Sequence, residues 1–323
     1  MKNLFIVGGQ QKEKISDEWH QYEKGVIVKL DTTSNHLEKC LEYVSPKEAC
    51  PPNDSSIVFK AGTVQNRQLY VCTQTEVLIY SLPDFKLSRY LSLPCFNDVH
   101  HVRPTKDGNL LVVNTGLDMV MKITKDGHIL QEWNVLGQKP WERFSRTIDY
   151  RKVPTTKPHQ SHPNFVFQIS EDIWVTRCLQ YDAICLTRPN QQIDIGGAFV
   201  HDGVVFGDTI YFTKMDGHVV TVDIHSLKIK KVFNLFTMTN TSQHLGWCRG
   251  IKVLNKDTVI VGFSRLRPYK KLEENGQFVW EGSYGSLPTR IACYNLIEGK
   301  LLWEHNLEQF GLNAVFSIHC ENE

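Results

Sequence analysis

"VHHVRPTKDGNLLVVNTGLDMVMKITKDGHILQEWNV", residues 99–135, decides the fold. Four short apolar stretches, VHHVRPT, GNLLVVNT, DMVMKIT and HILQEWNV, are separated by turn residues that include two Asp-Gly pairs. Apolar and polar residues alternate along the stretches and β-branched residues are frequent, so each reads as a strand. The Asp-Gly pairs supply the positive φ that tight hairpins need. Four strands within roughly 40 residues make the unit of a propeller blade.

The unit recurs along the chain. It fills approximately residues 57–93, 97–136, 162–197, 200–235 and 247–308, the last with a long insertion before RIACYNL. The two ends are incomplete separately and complete together: residues 311–323 offer one strand, in GLNAVFSIH, and residues 3–45 offer three, in NLFIVGG, GVIVKLD and HLEKCLEYV. The expectation is an all-β, six-bladed β-propeller in a single domain, closed by a blade shared between the N- and C-termini, which removes free sheet edges. The alternative is another all-β fold, such as a seven-bladed ring in which two blades have been merged.

A chain of 323 residues admits one toroidal domain. Its 36 basic and 35 acidic residues nearly cancel, so no global field attracts nucleic acid or an anionic membrane, and neither is an expected partner. The opening MKNLFIVGGQQKEK has a short apolar run followed by charge, which fits neither a signal peptide nor a spanning helix, so a cytoplasmic protein is expected. Nine cysteines lack any CxxC pair, and several lie in apolar strands. They read as small buried hydrophobes carrying reduced thiols.

Aligning the innermost strands on KAG, DVH, HPN, HDG, CRG and LNA gives a first column of Lys60, Asp98, His162, His201, Cys248 and Leu312, with Asp202, Arg249 and Asn313 in the second. These residues should ring one mouth of the central channel. The long connections, residues 10–24, 136–161, 236–246 and 266–288, are expected at the same mouth, and long loops in compact domains usually bind or cover something. Asn114, Arg177, Lys214 and Arg265 close their second strands on that side. Together with Lys60 and Arg249 they suggest a locally basic pocket for a small anionic ligand, because the guanidinium fork suits carboxylate, sulfate or phosphate.

Three readings of the ring remain open. Asp98, His162, His201 and Cys248 could hold a divalent metal, the one cofactor considered, although Lys60 and Arg249 would oppose a cation. His100, His162 or His201 could act as general base or nucleophile while Arg249 stabilises developing negative charge. The polar residues could instead only satisfy strand-end backbone groups around a wet channel. Alternation turns His101 away from His100 into a blade interface. Trp133, Trp174 and Trp303 read as inter-blade packing, and His128, His218 and His225 as solvated. PWERFSRTIDYRK, residues 140–152, is either a lid helix or a surface turn, and Tyr269, Trp280 and Tyr284 are available to cover an apolar, aromatic part of a ligand.

HHVRPTKDGNLLVVNTGLDMVMKITKDGHILQEW resembles the blade of arylsulfotransferase-type propellers, in which a histidine pair precedes a strand and a DG...W hairpin ends the blade. The resemblance covers one blade. It implies sulfate transfer through a channel-facing histidine assisted by Arg, Lys and Asn; His100 or His101 matches the motif, while Arg249, Asn313 and Lys60 match by type. HPN, WCRG, VGFSR and LNAVF resemble pieces of an uncharacterised bacterial propeller family linked to biosynthetic clusters, and the architecture resembles the wider gluconolactonase-like, strictosidine-synthase-like and NHL-type propellers. The expected function is a small-molecule enzyme acting on an anionic substrate at the mouth by group transfer, lyase or hydrolase chemistry. The alternative is a non-catalytic propeller that binds a ligand or a protein partner across the same face.

Overall fold

The computed structural model describes residues 3–13, 21–53, 55–273, 276–281 and 285–321. Six four-stranded antiparallel sheets form the blades of a β-propeller. The first blade runs Thr63–Gln65, Gln68–Cys72, Val77–Ser81 and Lys86–Leu91, and the second Val99–Pro104, Leu110–Asn114, Met119–Ile123 and Ile129–Asn134. The third runs from Pro163–Ile169 to Gln192–Asp194, and the fourth from Val200–Phe206 to Ile229–Asn234. The fifth takes Trp247–Asn255, Thr258–Ser264, Arg290–Asn295 and Lys300–Asn306, with a two-stranded insertion, Tyr269–Leu272 against Phe278–Glu281. In the sixth sheet Ala314–Cys320 pairs with Asn3–Gln11, which continues to Tyr22–Asp31 and His36–Tyr43.

Blade faces, not a single central core, hold the ring together. Each of six buried clusters lies in one gap between neighbouring blades, for example Phe167 and Trp174 of the third against Ile210 and Phe212 of the fourth. A strand sandwiched this way is buried on both faces, which is why Leu110–Asn114 has no exposed position and reads as a nearly continuous apolar run. The outermost strands lose that cover: five of the six residues of Lys86–Leu91 are exposed. Charged side chains there discourage pairing with a second chain.

The seam between the chain ends is tight. A Cβ placed on Gly8 would lie 1.7 Å from the Ala314 carbonyl oxygen, next to the register shift between Val7 and Gly8. Gly8→Ala therefore forces this strand pair apart, and chemical denaturation should show a loss of about 1–3 kcal/mol, the usual cost of overpacking. An unchanged midpoint would mean that the seam does not support the ring.

Candidate functional site

Each blade brings a side chain from its inner strand, or from just before it, to a cavity at one mouth: Lys60, His100, Asn164, His201, Arg249 and Phe316. The cavity measures about 150 Å³, close to the volume that accommodates a benzene ring in a protein interior. Gln74 and Met215, from turns between second and third strands, join Pro154, Thr155 and Lys157 from a long inter-blade connection at its rim. Tyr22 and Arg267 also line it. A second cavity of about 200 Å³ lies around Arg103, Lys252 and His319, where the inner strands end.

The ring differs from the aligned column because the inner strands carry bulges. Register shifts fall between Val99 and His101, Pro163 and Phe165, His201 and Val204, and Cys248 and Ile251. Asp98, His162, Asp202 and Gly250 have positive φ, at 49°, 57°, 55° and 77°. An extra residue reverses which face the following side chains occupy. Arg249 therefore enters the cavity, while Cys248 turns into the core with Tyr211, Phe263 and Tyr294. Leu312 is likewise buried between the fifth and sixth blades, and Phe316 takes the channel position.

Several expected cations and polar groups do other work. Arg177 forms a two-pronged ion pair with Asp182 and donates to the Val135 carbonyl at 3.0 Å. Arg265 pairs with Glu308 at 2.6 Å, Asn313 Oδ1 accepts the Gln11 amide at 2.9 Å, and Lys214 lies outside the cavity lining. None of these four lines the cavity. Asn114 is committed to the Cys95 carbonyl and the Asn97 amide. Arg267, two residues beyond Arg265, is the cavity cation that the alignment missed. Tyr284 and the side chains of Tyr269 and Trp280 lie outside the described residues.

Electrostatics divide the cavity into two sides. On one, the Arg249 guanidinium carbon sits 3.9 Å from the Phe316 ring centroid, and that of Arg267 lies 5.9 Å from the Tyr22 ring. Arg249 Nε and Arg267 Nη1 are buried with no hydrogen-bond partner. Burial, with Arg267 adding to it, brings Arg249 down to about 10, so it stays charged at neutral pH. Burial works to raise the Tyr22 phenol, but Arg267 and Arg249 outweigh it and hold it below its usual range.

On the other side, Lys60 bonds the Asp98 carboxylate. Burial opposes ionisation of Asp98, yet Lys60 and the neighbouring His100, His159 and His162 together outweigh burial and keep this carboxyl well below the usual range. His100 Nδ1 donates to the Asp98 carbonyl at 2.8 Å, and its ring meets that of His162 edge-on, with centroids 4.8 Å apart. Burial, reinforced by Lys60, depresses His100 well below the normal imidazole range; burial with His100 and His159 does the same to His162. His159 is pulled down to about 4, chiefly by burial. His201 stands apart. It is 2% exposed, neither ring nitrogen makes a hydrogen bond, and Nδ1 is 3.5 Å from Asp202 Oδ1. Asp202 is in turn held by the Gly250 amide at 2.8 Å and by the Thr213 hydroxyl.

Among the described residues, the side chains spaced to share one metal ion are Asp98, His159 and His162, with one donor atom from each within 4.8 Å of the others. His201 and Cys248 are not in this group. His159 was legible as the first histidine of HQSH, three residues before His162. The alignment of strand starts passed over it because it lies in the preceding loop. A second overlooked residue, Asp118, is fully buried and accepts the amides of Gln160, Ser161 and His162 at 2.9, 3.0 and 2.9 Å. It fixes the segment that carries both histidines.

His101 lies between blades. It stacks on Phe165 with centroids 3.7 Å apart, accepts the Val166 amide on Nδ1 at 3.1 Å and donates from Nε2 to the Gly62 carbonyl at 3.1 Å. Residues 140–152 form a packed loop with one short 3-10 turn, Tyr150–Lys152. Trp141, Phe144 and Tyr150 close on Leu117 and Met119, and Arg143 bonds Asp118 at 2.8 Å.

The depressed histidines give stability a pH dependence. Once unfolded, His100, His101, His159 and His162 take up protons near pH 6.5, whereas folded they resist protonation. The unfolded chain then binds more protons, so stability is full above about pH 6.5 and falls as pH drops below it, by up to about 1.4 kcal/mol per unit per histidine. Thermal melts in a chelating buffer should fall between pH 7 and 5. A flat profile would place these rings in contact with solvent.

No protein-family model and no curated protein matches the chain. Solved structures do. A protein of unknown function from Bacteroides caccae superposes with a TM-score of 0.60 at 12% identity, covering 98% of both chains. The WD40 β-propeller domain of Doa1 gives 0.53 at 10% identity, covering 98% of this chain and 90% of that one. A virginiamycin B lyase from Staphylococcus aureus gives 0.46 at 14% identity over 77% of this chain and 84% of its own. At these identities the likeness is one of fold, and propellers host many functions. No helix among the described residues is long and apolar enough to cross a membrane.

Proposed function

We propose that the mouth cavity binds a small organic anion, the size of one aromatic ring with a carboxylate, sulfate or phosphate, and that His201 transfers a proton to or from it. The observation that carries this reading is the set of buried polar atoms without a hydrogen-bond partner around one cavity: Arg249 Nε, Arg267 Nη1 and the two ring nitrogens of His201. Buried polar groups normally have partners, and leaving one unmade costs about 1–3 kcal/mol. An anion would satisfy the two guanidinium groups, and Phe316 and Tyr22 offer surfaces for an aromatic body.

His201 is the chosen proton carrier because it faces the cavity while Asp202, itself anchored, stands behind its Nδ1. That order of substrate, imidazole and carboxylate is the one general bases use. His100 and His162, held neutral by burial, are better suited to accept hydrogen bonds. Group transfer, elimination and hydrolysis all accommodate this arrangement. All nine cysteines are free thiols, which suits the reducing cytoplasm.

The test is a thermal-shift and calorimetric titration with benzoate, phenyl sulfate and phenyl phosphate in EDTA, followed by assay of 4-nitrophenyl sulfate and 4-nitrophenyl phosphate cleavage. Saturable binding should raise the melting point, by about 2.7 kcal/mol of stability at 100 times Kd, and His201→Ala should lower turnover while leaving binding intact. Binding with no turnover would favour a non-catalytic ligand-binding propeller. No saturable binding of any of the three anions would overturn the assignment.

A further inference from the structure

We infer that Asp98, His159 and His162 bind one divalent first-row transition ion, with zinc as the type case, at the histidine side of the mouth cavity. The inference deepens the reading of this mouth as the functional face and is independent of the anion. Three donors converge there from two blades: the carboxylate of Asp98, at the start of the second, and two imidazoles from the segment leading into the third. Two histidines and one carboxylate, with positions left open, are a familiar catalytic zinc set. Imidazole donors also favour transition ions over magnesium or calcium.

The hydrogen bonds around the group orient its lone pairs. The Thr156 hydroxyl donates to the Gly116 carbonyl, so its oxygen receives His159 Nε2 at 3.4 Å. That contact puts the His159 proton on Nε2 and turns the Nδ1 lone pair toward His162. The two Nδ1 atoms are 2.7 Å apart, bridged by one proton. An ion takes the place of that proton, which moves to His162 Nε2. Zinc–nitrogen bonds of about 2.0–2.1 Å need the two nitrogens roughly 0.6 Å further apart, a small opening of two loop-end side chains.

The surroundings match those of a metal centre. Asp98 Oδ1 takes the Lys60 ammonium, which leaves Oδ2 for the ion and fixes the carboxylate as ligating carboxylates are usually fixed. Asp118 holds the backbone of His162 and its two predecessors. His162 and Asp98 both line the cavity, so the open coordination positions face the space where the anion is placed. There an ion would act as a Lewis acid on a bound oxygen.

Full-length protein stripped with EDTA and dialysed is titrated with zinc sulfate against a chromophoric chelator, and separately with cobalt(II) chloride while the visible spectrum is recorded. The expected result is one equivalent per chain, a cobalt spectrum of low coordination number, and a loss of about 100-fold or more in zinc affinity in His159→Ala and Asp98→Asn. Asp98→Asn keeps the shape of the site should His159→Ala fold poorly, and the cobalt spectrum is read on the unaltered chain. Less than one equivalent overturns the inference, and so does an equivalent that survives both substitutions, which assigns the binding to other histidines or thiols. The anion titrations are done in EDTA, so their outcome stands apart from this one.

Discussion

Arg249→Met should weaken anion binding by about 30-fold or more while the blades stay folded. Arg249 is 7% exposed, packs on Phe316 and keeps an unpartnered Nε at the cavity. A charge-assisted contact in such a desolvated setting is worth about 2–5 kcal/mol on truncation, roughly 30-fold to several-thousand-fold in Kd. Methionine preserves much of the contact with the Phe316 ring and removes a buried cation that Arg267 and Lys60 repel, so the melting point should hold or rise. Arg265→Met is the contrast: its partner is Glu308 and it lines no cavity, so calorimetry should return an unchanged Kd. Equal losses in the two variants would show that net charge, not this cavity, attracts the anion.

The second large effect is on stability. Asp118→Ala removes a fully buried carboxylate that accepts three backbone amides and the Arg143 guanidinium. Stranding that many donors in a buried loop costs about 3–5 kcal/mol. Denaturant titration should show this as a shifted midpoint at constant slope. Because the freed segment carries His159 and His162, zinc affinity should fall about 10- to 100-fold in the folded fraction. Asp118→Asn retains the shape and one acceptor oxygen, and should lose less of both. A midpoint within about 0.5 kcal/mol of the parent would mean that the residues 159–162 are held by other contacts.

The blades were legible because strand alternation and Asp-Gly turns are local signals, repeated often enough that single errors do not matter. The six-part ring at the mouth was legible only in outline. Lys60 and His201 were found by aligning strand starts, and both line the cavity. Cys248 was misplaced by one residue, because the left-handed position falls one residue after His201, at Asp202, but two after Cys248, at Gly250, so Arg249 and not Cys248 takes the place equivalent to His201, and no composition signal marks that offset. Arg177 and Arg265 are basic at the right end of the right strands, yet Asp182 and Glu308 capture them. Such pairings across strands depend on register and side-chain reach, which a linear reading does not contain. His159 and Asp118 belong to a loop and its anchor, whose meeting is a tertiary fact.

Crystals soaked in 4-bromobenzoate and measured at the bromine absorption edge locate the ring directly. The expected result is a bromine peak in the mouth cavity, with the carboxylate about 2.7–2.9 Å from the guanidinium groups of Arg249 and Arg267 and the ring beside Phe316 and His201. A peak confined to the opposite cavity at Arg103 and Lys252, or no ordered bromine at concentrations that saturate the titration, would contradict it.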